Sequence, residues 1–91
     1  MQFMAYCLDN PGALEIRMAN RPKHVEYLTS YNDKLLFAGP LLEGEAMIGS
    51  LLVLDLADRA EMDKFLANDP YAKAGLFQSV NVHGVKKAFP K

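Results

Sequence analysis

The run Leu51-Leu52-Val53-Leu54 leaves a β-strand no polar side to turn toward water. Successive strand residues point to opposite faces of a sheet, so a strand of this kind is central and covered on both sides. The chain that must supply that cover has 91 residues. One domain of this size buries only about 60–65% of its unfolded surface, which leaves a thin margin of stability. With 51% apolar residues there is material for both a core and an interface.

Around that strand the patterning alternates in period. Gln2 to Leu8 reads as strand one and stops at the turn cluster Asp9-Asn10-Pro11-Gly12. Ala13 to Lys34 is dominated by helix formers, with Leu14, Met18, Val25, Leu28 and Leu35 near helical intervals. Pro22 lacks the donor for an internal helical bond, so the spacing predicts a short helix and a restart near Asn20-Arg21-Pro22. Lys34 to Leu42 and Met47 to Leu56 read as strands two and three, with Glu43-Gly44-Glu45 as the hairpin between them. Proline cannot donate to a ladder, so Gly39-Pro40 marks strand two as an edge, and we read the pair itself as a bulge.

Asp58-Arg59-Ala60-Glu61 has capping-box spacing and opens a helix that presents Met62, Phe65 and Leu66 on one face. Asp69-Pro70 reads as an N-cap with proline at the first helical position, and Gly75 suits the residue past the end of that short turn. Phe77 to Val85 alternates again as strand four. The order predicts one α+β domain over residues 1–91. Its expected form is a ferredoxin-like βαββαβ, an antiparallel sheet with strand order 4-1-3-2 and the helices on one face. The other sheet face is then bare, and a second copy of the domain is the simplest cover, so a homodimer through the open face is expected.

Charge narrows the partners. Ten Lys and Arg face eleven Asp and Glu, which gives no strong field for nucleic acid or an anionic membrane. Lys86, Lys87 and Lys91 read as a solvated tail. No apolar run reaches the roughly 18–20 residues of a membrane span, and Met1 to Leu8 carries no basic start of a signal peptide. The cytoplasm is the expected location. Cys7 is alone, so no intrachain disulfide can form, and it reads as a buried small hydrophobe. Two distant histidines and one cysteine give no metal-ligand spacing, and glycine-rich phosphate loops are absent. No metal or organic cofactor is expected.

Arg17, Arg21 and His24 lie at i, i+4 and i+7 and share a face if the helix is continuous. Histidine exchanges protons near neutrality and arginine binds oxyanions, so the trio reads either as acid–base machinery with anchors or as the polar face of a surface helix. Asp69 reads either as a cap alone or as a cap whose second oxygen meets a histidine. Tyr27 and Tyr31, one turn apart, read as core or interface, and His83 as structural or interfacial.

Several motifs in series resemble the YCII-related (YciI-like) family of the dimeric α/β-barrel superfamily. They are Arg17-x-x-x-Arg21-Pro22-x-His24-x-x-Tyr27-Leu28, Gly39-Pro40-Leu41, Gly49-Ser50 and Asp69-Pro70-Tyr71-x-x-Ala74-Gly75-Leu76. The resemblance implies a ferredoxin-like subunit that dimerises sheet to sheet. It also implies a pocket with a His–Asp dyad, carried here by His24 and Asp69, with Arg17, Gly39, Pro40 and Ser50 lining the same pocket. A dehydrochlorinase acting on a chlorinated hydroxyquinol is one activity of that family. The implied function is a cofactor-free enzyme of lyase or isomerase type, moving a proton on a small organic substrate. The alternative is a non-catalytic small-molecule-binding or regulatory module. A third reading makes the sheet face the working surface of an assembly part.

Overall fold

The computed structural model describes residues 1–91. Its elements run β1 (Gln2–Asp9), α1 (Leu14–Thr29), β2 (Leu35–Glu43), β3 (Ala46–Asp55), α2 (Arg59–Asn68), α3 (Pro70–Lys73) and β4 (Phe77–Val85). The four strands form one antiparallel sheet in the order β2-β3-β1-β4, which puts β2 at an edge as Pro40 requires. This is the ferredoxin-like α+β fold, with the helices packed on one face.

Register explains why β3 is apolar on both sides. Phe3, Ala5 and Cys7 of β1 lie opposite Leu54, Leu52 and Ser50 of β3, and all six are buried beneath the helices. Met62, Phe65 and Leu66 of α2 complete that core. The intervening residues Met4, Tyr6, Leu51 and Val53 point to the open face, where Tyr6 is exposed and the other three are only part-covered. Tyr27 and Tyr31 pack against the helix-side core, where the Tyr27 hydroxyl donates to the Phe65 carbonyl at 2.7 Å. His83 lies opposite Met4 and so belongs to the open face.

Three local expectations are corrected. The helix does not break at Pro22; α1 runs through it unbroken from Leu14 and ends at Thr29, short of Lys34. The donor that proline lacks would have met the carbonyl of Met18, and both residues are solvent-exposed, so water can serve that carbonyl. Gly39-Pro40 is not the bulge: Gly39 pairs with Leu51 and Pro40 with Ser50, and the register shifts fall between Leu35 and Phe37 and between Leu41 and Leu42. Of the apolar residues at helical spacing, Leu28 and Leu35 pack against the core, but the other three do not. Leu14, Met18 and Val25 are 54%, 50% and 44% exposed, whereas Arg17 and His24 are buried.

The other ends follow local chemistry. Asp58 caps α2 by accepting from the Glu61 backbone N–H at 2.9 Å, while the Glu61 carboxylate reaches back to the Ala57 N–H at 3.0 Å. Gly44 in the two-residue hairpin and Gly75 after α3 have φ of 61° and 73°, a region that costs other residues steric strain.

Gly49 is constrained by space instead. A Cβ there would strike the carbonyl oxygen of Cys7 on β1, which is backbone and cannot swing away. Gly49→Ala is expected to lower stability by about 2–3 kcal/mol through overpacking between β1 and β3. Urea denaturation of the two proteins checks this; coincident midpoints would show that the sheet absorbs the methyl group.

Candidate functional site

The buried polar face of α1 has specific partners. Arg17, near the start of the helix, sends Nε to Asp9 Oδ2 at 2.8 Å and Nη2 to Asp9 Oδ1 at 2.9 Å. The same Nη2 donates to Ser50 Oγ at 2.9 Å. One guanidinium thus ties α1 to the end of β1 and to the middle of β3. Burial works against its charge, but the hydrogen bond and the charge of Asp9 outweigh that and hold Arg17 above its ordinary range.

Two turns further along, His24 Nδ1 lies 2.8 Å from Asp69 Oδ1, and the Asp69 side chain is fully buried. That oxygen also accepts the Tyr71 backbone N–H at 3.0 Å, so Asp69 caps α3 and holds the imidazole at once. The two tasks were expected to fall on different oxygens. They share Oδ1, while Oδ2 is buried without a hydrogen bond from the protein. The cap geometry accounts for this, since the oxygen aimed at the start of α3 is also the one facing α1.

Tyr71 completes the arrangement from the first turn of α3. Its ring stacks on His24 with centroids 3.8 Å apart and planes 14° apart, and the Arg17 guanidinium carbon lies 4.9 Å from the same ring centroid. Arg17 and His24 are seven residues apart, about 10 Å along a helix axis, so an aromatic ring fits in the interval between them. Burial raises the Tyr71 phenol above its ordinary range; Arg17 and Arg21 oppose the rise and Asp69 adds to it.

These groups border a cavity of ≈ 200 Å³ between α1 and the β2–β3 edge of the sheet. Arg17, Arg21 and His24 line its helix side, and Ala38, Gly39, Pro40 and Ser50 its sheet side. Val25, Leu28, Met47 and Leu52 make the rest apolar, and Tyr71 closes the back. The cavity lies within one chain. Five of the six residues singled out from the sequence border it, and the sixth, Asp69, sits behind His24. Gly39 and Pro40 serve here as in-register edge strand, where a residue without a side chain and one without an N–H leave the wall low.

Asp9 and Tyr71 were missed as site residues. Asp9 looked like the first residue of a turn, and nothing in its spacing from Arg17 marks a pair that forms only when the chain reverses at Pro11-Gly12. Tyr71 stood inside the Asp-Pro-Tyr motif, which was the available signal. No group of three or more His, Cys, Asp or Glu side chains converges in the way a metal ion would need. No helix is long and apolar enough to cross a membrane.

Residues 1–86 match the YCII-related domain family, and the chain belongs to it. It is 29% identical to Protein YciI of Escherichia coli O6:H1 over 98 residues, spanning 98% of this chain and 100% of that protein. Among solved structures it is similar to 5-chloro-2-hydroxyhydroquinone dehydrochlorinase from Burkholderia phenoliruptrix AC1100, in complex with 2,5-dihydroxybenzoquinone. That match has 35% identity and a TM-score of 0.91, over 94% of each chain. An antibiotic biosynthesis monooxygenase shares the fold at 16% identity and a TM-score of 0.58, covering 96% of this chain and 97% of the other.

The buried cluster sets an alkaline limit. Burial first, then the charges of Asp69 and Asp9, push the Cys7 thiol up to about 12 against the opposing Arg17. Burial likewise raises Tyr27 and Tyr71. For an acid whose folded pKa is raised, the stabilisation is complete below the unfolded value and is lost as pH climbs toward the folded one. Stability should therefore fall from pH about 9 upward, and Cys7→Ala should flatten part of that fall. Denaturation midpoints measured across this range test it; an identical slope in the variant removes Cys7 from the account.

Proposed function

We propose that this YCII-related protein is a cofactor-free enzyme that uses His24 and Asp69 for acid–base chemistry on a small organic substrate, in a proton transfer or elimination of lyase or isomerase type. The observation that carries the proposal is the 2.8 Å contact between His24 Nδ1 and a fully buried Asp69 carboxylate, with the same imidazole lining a cavity. With Asp69 ionised, Nδ1 carries the hydrogen and donates it to Oδ1. The lone pair of Nε2 is then free to accept a substrate proton, and the imidazolium that forms is stabilised by Asp69. Tyr71 restricts the ring to one plane, so Nε2 keeps its aim. Arg17 is bound to Asp9 and Ser50 and acts as a fixed part of the wall.

Likeness to a dehydrochlorinase at 35% identity supports elimination as the reaction type. In such a step a base takes a proton, the electron pair forms a double bond and chloride leaves. The test follows the proton directly. The protein is incubated in D2O with 5-chloro-2-hydroxyhydroquinone and a panel of small phenols and carbonyl compounds. Deuterium incorporation is read by NMR, with chloride release as a second channel. A compound that turns over should do so about 10²–10⁴-fold more slowly with His24→Asn, as expected for loss of a positioned base. Asp69→Asn should also slow it, because an amide can favour the wrong imidazole tautomer. Equal exchange by wild type and His24→Asn would sink the dyad. Ligand binding without turnover of any compound would favour a binding module instead.

The working unit in this proposal is a homodimer packed through the open sheet face. Support comes from Met4, Tyr6, Leu51 and Val53, which leave a largely apolar, incompletely covered surface opposite the helices. A lysine in place of Val53 would put an unpaired charge in that interface. Light scattering should then report a dimer for the wild type and a monomer for Val53→Lys; a monomeric wild type would rule the interface out.

A further inference from the structure

We infer that the cavity selects a ring-sized organic anion and that Arg21 is the residue that selects it. The inference deepens the acid–base reading, on which it rests for the identity of the site, and it names the substrate class that reading leaves open.

The charges around the cavity do not balance. Three of its lining residues can be cationic, Arg17, Arg21 and His24, and none is a carboxylate. Two of the three are already matched from behind the wall, since Asp9 holds Arg17 through both its oxygens and Asp69 holds His24. Arg21 is unmatched. The ion pairs of the chain involve the N-terminus, Arg17, His24 and Arg59, and Arg21 is in none of them. It donates none of the side-chain hydrogen bonds in the site and is solvent-exposed, so it stands at the mouth with its guanidinium free. Its charge opposes the rise of the Tyr71 phenol, another residue of the cavity wall. The positive sign is local, because the chain as a whole carries −1.

Shape gives the rest of the ligand. The floor and sides behind Arg21 include Leu28, Ala38, Pro40 and Leu52, and ≈ 200 Å³ leaves room for one ring with small substituents. A molecule that satisfies both features has an apolar ring against the sheet and a carboxylate, phenolate or enolate oxygen on Arg21. Guanidinium suits this role because its fork can hold two oxygens side by side. An uncharged ring of the same size would fill the apolar part and leave Arg21 without a partner. Arg21 and His24 lie at i, i+3 on the same face of α1 and both line the cavity, so an anionic group on Arg21 lies beside the imidazole.

The test uses benzoate and benzamide, which have nearly the same shape and differ in charge, with 2,5-dihydroxybenzoquinone as an acidic ring compound. Binding to wild type, Arg21→Gln and Arg21→Lys is measured by NMR titration. Wild type should prefer benzoate to benzamide by about tenfold or more, the factor expected of a hydrogen bond to a charged group. Arg21→Gln should lose that preference and bind 2,5-dihydroxybenzoquinone more weakly, with benzamide affinity little changed. Arg21→Lys should recover part of the preference, and added salt should weaken benzoate binding to wild type more than to Arg21→Gln. Equal affinity of wild type for benzoate and benzamide, failure of either anion to bind, or an unchanged preference in Arg21→Gln overturns the inference. The two readings fail separately: without acid–base chemistry turnover is absent while the anion preference persists, and without anion selection the preference is absent whatever the turnover.

Discussion

Helix α1 is fastened to its sheet by a guanidinium, and the remaining features of the site follow from that. An ordinary surface helix buries an apolar stripe and turns its charges outward. Here Arg17 goes inward to Asp9 and Ser50, and His24 goes inward to Asp69. A buried charge must be paired and hydrogen-bonded, so each inward group fixes a partner on a different element: the end of β1, the middle of β3 and the start of α3. Polar side chains thus face the sheet from the start and middle of the helix, while Tyr27 and Leu28 near its end pack against the apolar core. The cavity lies between this polar face and the β2–β3 edge of the sheet.

Such an arrangement is a poor way to gain stability and a good way to fix geometry. Replacing a buried ion pair with matched apolar groups is often neutral or stabilising, so the Arg17–Asp9 pair contributes chiefly by setting the position of α1. Asp69 works in the same manner. Its single engaged oxygen couples the direction of α3 to the orientation of the His24 ring, and Tyr71 then locks that ring from one face. Fixed donors and acceptors that need not reorganise are what acid–base work demands of a site. The core of Phe3, Ala5, Leu52, Leu54, Met62 and Phe65 adjoins the site through Leu52, and the Tyr27 end of α1 packs on it.

Much of this was legible in the residues. Strand alternation, Asp58, Asp69-Pro70 and the glycine positions report local backbone preferences, which act over a few residues and so survive in a linear reading. The doubly apolar β3 also reported its place inside the sheet, between β2 and β1 with one face beneath the helices, because alternation along a strand maps directly onto the two faces of a sheet. The residues alone left Asp69 open between a cap and a cap that also meets a histidine; the serial resemblance to a family is what favoured His24 as its partner.

What the sequence determined, then, is the order of the elements, the edge position of β2 and the groups available for chemistry. The tertiary structure decided which face of α1 is buried, that Pro22 leaves the helix intact, that Gly39-Pro40 pairs in register, and that Asp9 rather than a ligand neutralises Arg17. The physical reason is the same in each case. Burial and charge pairing depend on what lies across the fold, and a partner 8, 33 or 45 residues away in the chain leaves no periodicity for a linear reading to find.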